Sequence, residues 1–183
     1  MTRRALDAYL TTHAGVTRGL LDTSPCDFSG VVLEPCAGFG DMARPMKASG
    51  MFSRVLTNDI RWGGDYNLDA TDPASWAQFG PVDWVITNPP FGVSLPIVRL
   101  ALQHAWVGVA MYLRISWYEP TLKHRDPAKR RGLFLRDHPP TGFMPTTRIS
   151  FTDNGKCDAT TCAWFVWVHG RAAQWHHPIL LED

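Results

Sequence analysis

Residues 31–41 read Val31-Val32-Leu33-Glu34-Pro35-Cys36-Ala37-Gly38-Phe39-Gly40-Asp41. Ser29-Gly30 precedes the apolar run and Pro35 closes it, so residues 31–34 predict a short buried strand. Gly38 and Gly40 let the backbone turn tightly and approach a ligand closely, and residues 42–49 predict the helix that follows. A strand, a glycine-rich turn and a helix in succession open a parallel α/β sheet, in which ligands lie outside the carboxyl ends of the strands.

The chain continues in the same idiom. Residues 54–58 predict a second strand ending at Asp59, 19 positions after Gly40. A carboxylate there can accept hydrogen bonds from both hydroxyls of a ribose. Asp69-Ala70 follows the position of a third strand, where an aspartate can accept from the amino group of a bound adenine. Asp65 and Asp72 are local alternatives, and a helix cap or a solvated loop is the plainer role for any of the three. The loop alone leaves its ligand open. Gly38-Phe39-Gly40-Asp41-Met42-Ala43 also fits the G-x-G-x-x-A dinucleotide pattern, so a nicotinamide-dependent oxidoreductase competes here, as does a turn with no ligand.

Residues 82–87, Val82-Asp83-Trp84-Val85-Ile86-Thr87, predict a strand that ends in Asn88-Pro89-Pro90-Phe91. This tetrapeptide separates the readings. An aromatic amine is a poor nucleophile because its lone pair is delocalised into the ring. Acceptors on its two N–H bonds draw the nitrogen towards tetrahedral geometry and stabilise the charge it gains. The Asn88 side-chain oxygen and the Pro89 carbonyl can be those acceptors, Pro89 and Pro90 fix the backbone without competing N–H groups, and Phe91 offers a flat face to a base. A sulfonium methyl donor needs no acid catalyst, which suits a chain without an evident Ser-His-Asp or Cys-His arrangement. A rigid Pro-Pro turn is the alternative without chemistry.

With these motifs in place, the chain resembles the S-adenosylmethionine-dependent amino-methyltransferases, closest to the small phage- or prophage-type N6-adenine enzymes. The resemblance covers most of the chain. Glu34 to Gly40, with Pro35, Ala37 and Gly38, looks like the cofactor loop, Asp59 like the ribose carboxylate and Asp69 like the residue at the adenine of the cofactor. Asn88, Pro89, Pro90 and Phe91 look like the motif that holds the target amine. Asp7-Ala8-Tyr9-Leu10-Thr11-Thr12 is similar to a D-x-Y-x-T-P segment and implies that Thr11 lines the methionine end of the cofactor; Thr12 stands where that pattern has proline. Residues 114–120 and 161–167 also look like segments of the phage-type group, with no role carried over. The resemblance implies a Rossmann-like α/β fold: a seven-stranded, mostly parallel sheet with one antiparallel edge hairpin and helices on both faces. It implies transfer of a methyl group from S-adenosylmethionine to adenine N6 in DNA after base flipping. Asn-Pro-Pro-aromatic also occurs in enzymes acting on guanine N2 in RNA or on a protein glutamine, so RNA and protein acceptors remain open.

The remaining sequence fits this frame. Residues 3–10 and 16–21 predict helices separated by a break at 11–15, residues 95–103 a helix and residues 106–113 a strand. Residues 143–151 and 161–169 read as a hairpin around a turn at Asp153-Asn154-Gly155. Residues 119–141 are rich in proline and charge and read as a long excursion. From 114 to 136 lie seven of the 18 basic residues, Arg114, Lys123, Arg125, Lys129, Arg130, Arg131 and Arg136, against the acids Glu119 and Asp126. Such a cluster can neutralise phosphates, with Lys123, Arg125, Lys129, Arg130 and Arg131 expected at the nucleic acid and Trp117, beside Tyr118, expected against an extruded base.

Composition sets the outer bounds. With 183 residues, 45% hydrophobic and 19% charged, the chain is expected to form one domain over 1–183 with no separate target-recognition domain. A net charge of +1 gives no global sign of a polyanion partner. Cys26, Cys36, Cys157 and Cys162 lack CxxC spacing, and His176-His177 has no suitable partners, so no metal site is expected. Reduced thiols, no apolar leader and no apolar run of membrane length predict a cytoplasmic protein; the oligomeric state is not encoded legibly.

Overall fold

A computed structural model describes residues 14–119, 121–125, 130–148 and 161–173. In these, six strands form one sheet: β1 (Val31–Glu34), β2 (Arg54–Thr57), β3 (Val82–Thr87), β4 (Ala105–Arg114), β5 (Gly142–Pro145) and β6 (Cys162–Val168). Their order is β2-β1-β3-β4-β6-β5. The first four run parallel, and β6 lies antiparallel between β4 and β5. The hairpin expected near the C-terminus therefore forms, with β5 on the sheet edge and its turn outside the described residues.

The described residues hold six strands where seven were expected. Past β2 there is a single parallel bridge, Asn58 to Tyr66. The reason is local. The Asp65 carboxylate takes the Thr57 backbone N–H at 2.8 Å, filling the place of a strand carbonyl. Gly64, at φ +133°, folds the chain so tightly onto β2 that a Cβ would stand 2.9 Å from the Thr57 carbonyl oxygen. A side chain is strained there on both counts.

Among the described residues, five α-helices pack on this sheet: α1 (Ala14–Thr23), α2 (Ala43–Ser49), α3 (Pro73–Trp76), α4 (Ser94–His104) and α5 (Gly132–Asp137). Sheet side chains alternate between two apolar clusters, as the period of two requires. Leu33, Val85, Met111 and Phe165 join Ile97 and Val98 of α4 and Leu135 of α5. Val32, Trp84, Ile86 and Trp164 join Leu20 of α1 and Met46 of α2. The Trp164 indole N–H donates to the Val16 carbonyl at 3.0 Å and pins α1 to β6.

Helix α1 starts earlier than its apolar spacing suggested, taking in Ala14 and Gly15, because Val16, Thr17, Leu20 and Leu21 need a complete helical face to bury. Helix α3 has a short-range cause: Asp72 accepts from the Ala74 N–H, and Pro73 follows at the first helical position. The expectation that 119–141 is a loop excursion needs correction. Helix α5 lies within it, with Phe134 and Leu135 buried in the core. The expected helix at 3–10 falls outside the described residues.

Candidate functional site

The sheet order creates the site. From β1 the chain moves outward to β2, then returns to place β3 on the other side of β1. Connections leave β1 and β3 in opposite directions, and the crevice at such a switch point is where open α/β sheets bind ligands. The glycine-rich loop leaves the carboxyl end of β1. Asn88-Pro89-Pro90-Phe91 leaves the carboxyl end of β3. Leu33 pairs with Val85, so the two segments emerge from adjacent, in-register strands.

The glycine-rich loop is held from below. Gly38 and Gly40 have φ of 54° and 77°, a left-handed conformation that admits them and disfavours side chains. Gly40 N–H donates to Ala37 O at 2.8 Å, and Ala37 N–H donates to Asn58 O at 2.9 Å. The Asn58 side chain, fully buried, ties this region to the next loop. Its amide donates to Pro35 O at 2.9 Å and Leu68 O at 3.0 Å, and its Oδ1 accepts from Leu68 N–H at 2.8 Å. Sequence reasoning passed over Asn58, although a polar residue ending an apolar strand beside Asp59 was a signal.

Asp59 is buried at the tip of β2 and faces the loop. Its Oδ2 accepts from Gly38 N–H at 2.9 Å, and its Oδ1 accepts from Arg61 N–H at 2.8 Å and Trp62 N–H at 3.2 Å. A carboxylate has roughly four acceptor positions, so three backbone bonds leave one for a ligand hydroxyl unless a bond is exchanged. Of the three candidate aspartates beyond it, Asp72 caps α3 and Asp65 serves Thr57. Asp69 is exposed; its Oδ1 accepts from Thr71 N–H at 2.8 Å and Thr71 Oγ1 at 2.7 Å. It thereby closes a turn at the point where Asn58 holds Leu68.

Glu34 lies beneath the loop, 1% exposed, with Oε2 buried and carrying no hydrogen bond. Burial first, and the neighbouring Asp41 and Asp59 carboxylates second and further down, hold its carboxyl well above the ordinary carboxylate range, against the opposing pull of the Ala43 N–H. Asp41 is paired with Arg44. The loop is thus flanked by the Asp41 and Asp59 carboxylates, with the buried Glu34 carboxyl beneath it. The two carboxylates suit a cationic ligand and oppose a pyrophosphate. Helix α2, seven residues long, follows Met42, whose side chain makes no capping bond. Around this loop Phe39 and Ile60 are more than half exposed, and the Phe39 and Trp62 rings stand 4.7 Å apart.

Across the crevice, Asn88 is 8% exposed at the strand tip. Pro90 O accepts from Val93 N–H at 3.1 Å, and Phe91 O accepts from Ser94 Oγ at 3.0 Å, so a one-turn 3-10 helix, Phe91–Val93, fixes the end of the segment. Phe91 is half-buried, and the Arg114 guanidinium lies over its ring, Cζ to centroid 4.5 Å.

The structure sets Trp117 apart from the proposed basic residues, of which Lys123, Arg125 and Arg130 line one surface hollow. Trp117 does not face outward, and its expected role is corrected: it is 4% exposed, packs edge-on against Phe134, Phe165 and Trp167, and donates its indole N–H to Ser94 Oγ at 2.8 Å. A large ring flanked by three others is core material. Arg131 lies over Trp117, 5.8 Å from its centroid, and desolvation lowers its pKa. Lys123 and Arg125 are exposed, and Arg130 Nε donates to His124 O at 2.6 Å. Thr11 and Lys129 lie outside the described residues, as do the segment 7–12 and His176-His177.

A cavity of about 630 Å³ lies elsewhere, lined by Arg99, Phe134, His138, Trp167, His169 and others where α4 and α5 meet the end of β6. It touches neither motif; the switch point carries the convergent polar groups. Among the described residues, no group of three or more His, Cys, Asp or Glu is placed to hold a metal ion, and no helix is long and apolar enough to cross a membrane.

No protein-family model and no curated protein matches the chain. Solved structures do. One is a dimethyladenosine transferase from Plasmodium falciparum, at TM-score 0.58 and 15% identity, covering 87% of this chain and 63% of that one. Another is the 23S rRNA methyltransferase ErmE, at TM-score 0.57 and 13% identity, covering 91% of this chain and 72% of that one. A third is the methyltransferase subunit of a type I restriction-modification system from Streptococcus thermophilus, at TM-score 0.55 and 11% identity, covering 93% of this chain and 45% of that one. The chain thus spans under two thirds of the first and third of these proteins. Three methyltransferases share one architecture with it, and the chain has the α/β fold in which those enzymes are built.

Proposed function

We propose that this chain transfers a methyl group from S-adenosylmethionine to the exocyclic N6 amino group of adenine in nucleic acid, with DNA as the first substrate. One observation carries this reading. The glycine-rich loop and Asn88-Pro89-Pro90-Phe91 leave adjacent parallel strands on the two sides of the switch point. A cofactor on one side and an amine on the other then meet above β1 and β3.

On the cofactor side, Gly38 and Gly40 admit the ligand backbone closely, with Pro35 and Ala37 shaping the loop. Asp59 meets the ribose and Asp69 the adenine amino group; Thr11 is the further contact at the methionine end. The Asp41 and Asp59 carboxylates beside the loop match a cationic cofactor better than a nicotinamide dinucleotide with its pyrophosphate. S-adenosylmethionine supplies an electrophilic methyl group on a sulfonium leaving group. On the substrate side, Asn88 Oδ1 and the Pro89 carbonyl accept the two N–H bonds of the amine, Pro90 stiffens the segment, and Phe91 stacks on the base. The nitrogen gains the carbon, the sulfur keeps the bonding pair, and the extra proton passes to solvent. Base extrusion from a duplex precedes this. Exposed Lys123, Arg125 and Arg130, with Lys129 and Arg131, serve the phosphate backbone.

Two structural neighbours are named for adenosine and ribosomal RNA methylation, so RNA is the second substrate to test. Labelled S-adenosylmethionine is incubated with duplex DNA, single-stranded DNA, RNA and a protein extract, and the methylated product is identified. N6-methyladenine in DNA supports the proposal. Label in RNA or at a protein glutamine keeps the amine chemistry and replaces the substrate. Calorimetric binding of NAD in place of S-adenosylmethionine overturns the assignment.

A further inference from the structure

One face of the ring of Phe91, the residue proposed to stack on the target base, is already covered. Arg114, the last residue of β4, lays its guanidinium over the ring at 4.5 Å, inside the roughly 6 Å reach of a cation–π contact. Strand register brings it there. Thr87, the last residue of β3, pairs with Met111 of β4; Phe91 follows four residues after Thr87 and Arg114 three after Met111, so both come off the same end of this strand pair. Phe91 also packs against both apolar clusters, so its core-side surface is taken up by aliphatic and aromatic neighbours. A guanidinium is flat, delocalised and edged with N–H donors. It covers an aromatic face in the way a base does, and its charge is the one a phosphate seeks.

We propose that Arg114 is a placeholder in the substrate site: it covers Phe91 when no base is bound, and moves to a neighbouring backbone phosphate when a base stacks on that ring. The inference rests on Asn88-Pro89-Pro90-Phe91 being the segment that holds the target base. It specifies the substrate further, as a nucleobase carried on a phosphodiester strand in preference to a free nucleoside. Two more guanidinium groups lie along the same ends of the sheet. Arg131 Nη2 donates to Ser116 O at 3.4 Å, just after β4. Arg148 Nε donates to Thr161 Oγ1 at 3.4 Å, beside Cys162, the β6 partner of Arg114. Displaced Arg114 thus joins an edge already lined with cations, along which a phosphate backbone can run.

Two probes and two variants test this. Adenosine offers the base without a phosphate, and an oligo(dA) strand offers both. Each is titrated against wild type, Arg114→Ala and Arg114→Lys across a range of salt, with S-adenosylmethionine affinity measured alongside. In Arg114→Ala, oligo(dA) affinity is expected to fall about fivefold at ~0.1 M salt, and the slope of log affinity against log salt to shrink by about 0.7, the share of one single-strand phosphate contact. Adenosine binds that variant at least as tightly as wild type, because its seat needs no clearing. Arg114→Lys, the milder change, keeps the salt slope and also gains adenosine affinity. Parallel weakening of both probes, or an unchanged salt slope in Arg114→Ala, overturns the inference and leaves the base site standing. Wild type that binds S-adenosylmethionine but neither probe overturns the base site and the inference with it.

Discussion

Replacing Asn58 by alanine tests how the glycine-rich loop, the proposed cofactor loop, is held. The fully buried side chain makes three hydrogen bonds, to Pro35 O, to Leu68 O and from Leu68 N–H. Alanine deletes all three and leaves those backbone groups to find other partners. At about 1 kcal/mol net for each bond, the loss is about 3 kcal/mol. For a chain of this size, each kcal/mol moves the melting temperature by about 2–4 °C, so Asn58→Ala is expected to melt about 6–12 °C lower. Global stabilities of about 5–15 kcal/mol leave the variant folded at room temperature. The damage is directional too. Pro35 begins the glycine-rich loop and Leu68 precedes Asp69, so both walls of the cofactor side loosen together. Thermal unfolding with and without S-adenosylmethionine reads both effects, and the ligand-induced rise in melting temperature should shrink. A shift below about 2 °C with an undiminished ligand effect refutes the idea that Asn58 is the clasp.

Glu34→Gln separates charge from shape under the loop. The wild-type carboxyl titrates well above its ordinary value of 4.5, so the folded state holds a proton that the unfolded chain releases, and stability falls as pH rises past that value. Gln removes this dependence: its melting temperature should match wild type below pH 4.5 and exceed it increasingly towards neutrality. Identical melting curves across the whole pH range contradict the burial argument. Trp117→Phe should lower stability by about 1–3 kcal/mol through the lost bond to Ser94. Its nucleic-acid affinity should stay at the wild-type level in a gel-shift titration; a normal melting temperature with weakened binding would restore Trp117 to the surface.

Much of the sheet was legible because its strands are short apolar runs with hard punctuation. Val31–Glu34 is bounded by Gly30 and Pro35, and Val82–Thr87 by Pro81 and Asn88-Pro89, and both occupy those bounds. The two loops of the candidate site stand out in the sequence for the same reason, since glycines and prolines mark where a backbone must do something particular. Three features were not. Helix α5 hides in a charged stretch because only Phe134 and Leu135 turn to the core, too few to set up a period. Trp117 was placed with the basic residues around it, yet a sequence cannot show that three aromatic rings from α5 and β6 converge on it. Beyond β2 the described residues form a single bridge where a strand was expected, because Asp65 reaches back to Thr57, a side-chain bond that competes with a ladder and leaves no periodic signature. Arg114 over Phe91 is of the same kind, set by register between two strands separated by a helix.

The central claim is that acceptors at the tip of β3 hold an amino group for methyl transfer. It is tested most directly by Asn88→Ala, comparing single-turnover transfer from labelled S-adenosylmethionine with calorimetric cofactor binding in the same preparation. Transfer to adenine should fall by about 10²-fold or more, with cofactor affinity near the wild-type value. Transfer at close to the wild-type rate would contradict it.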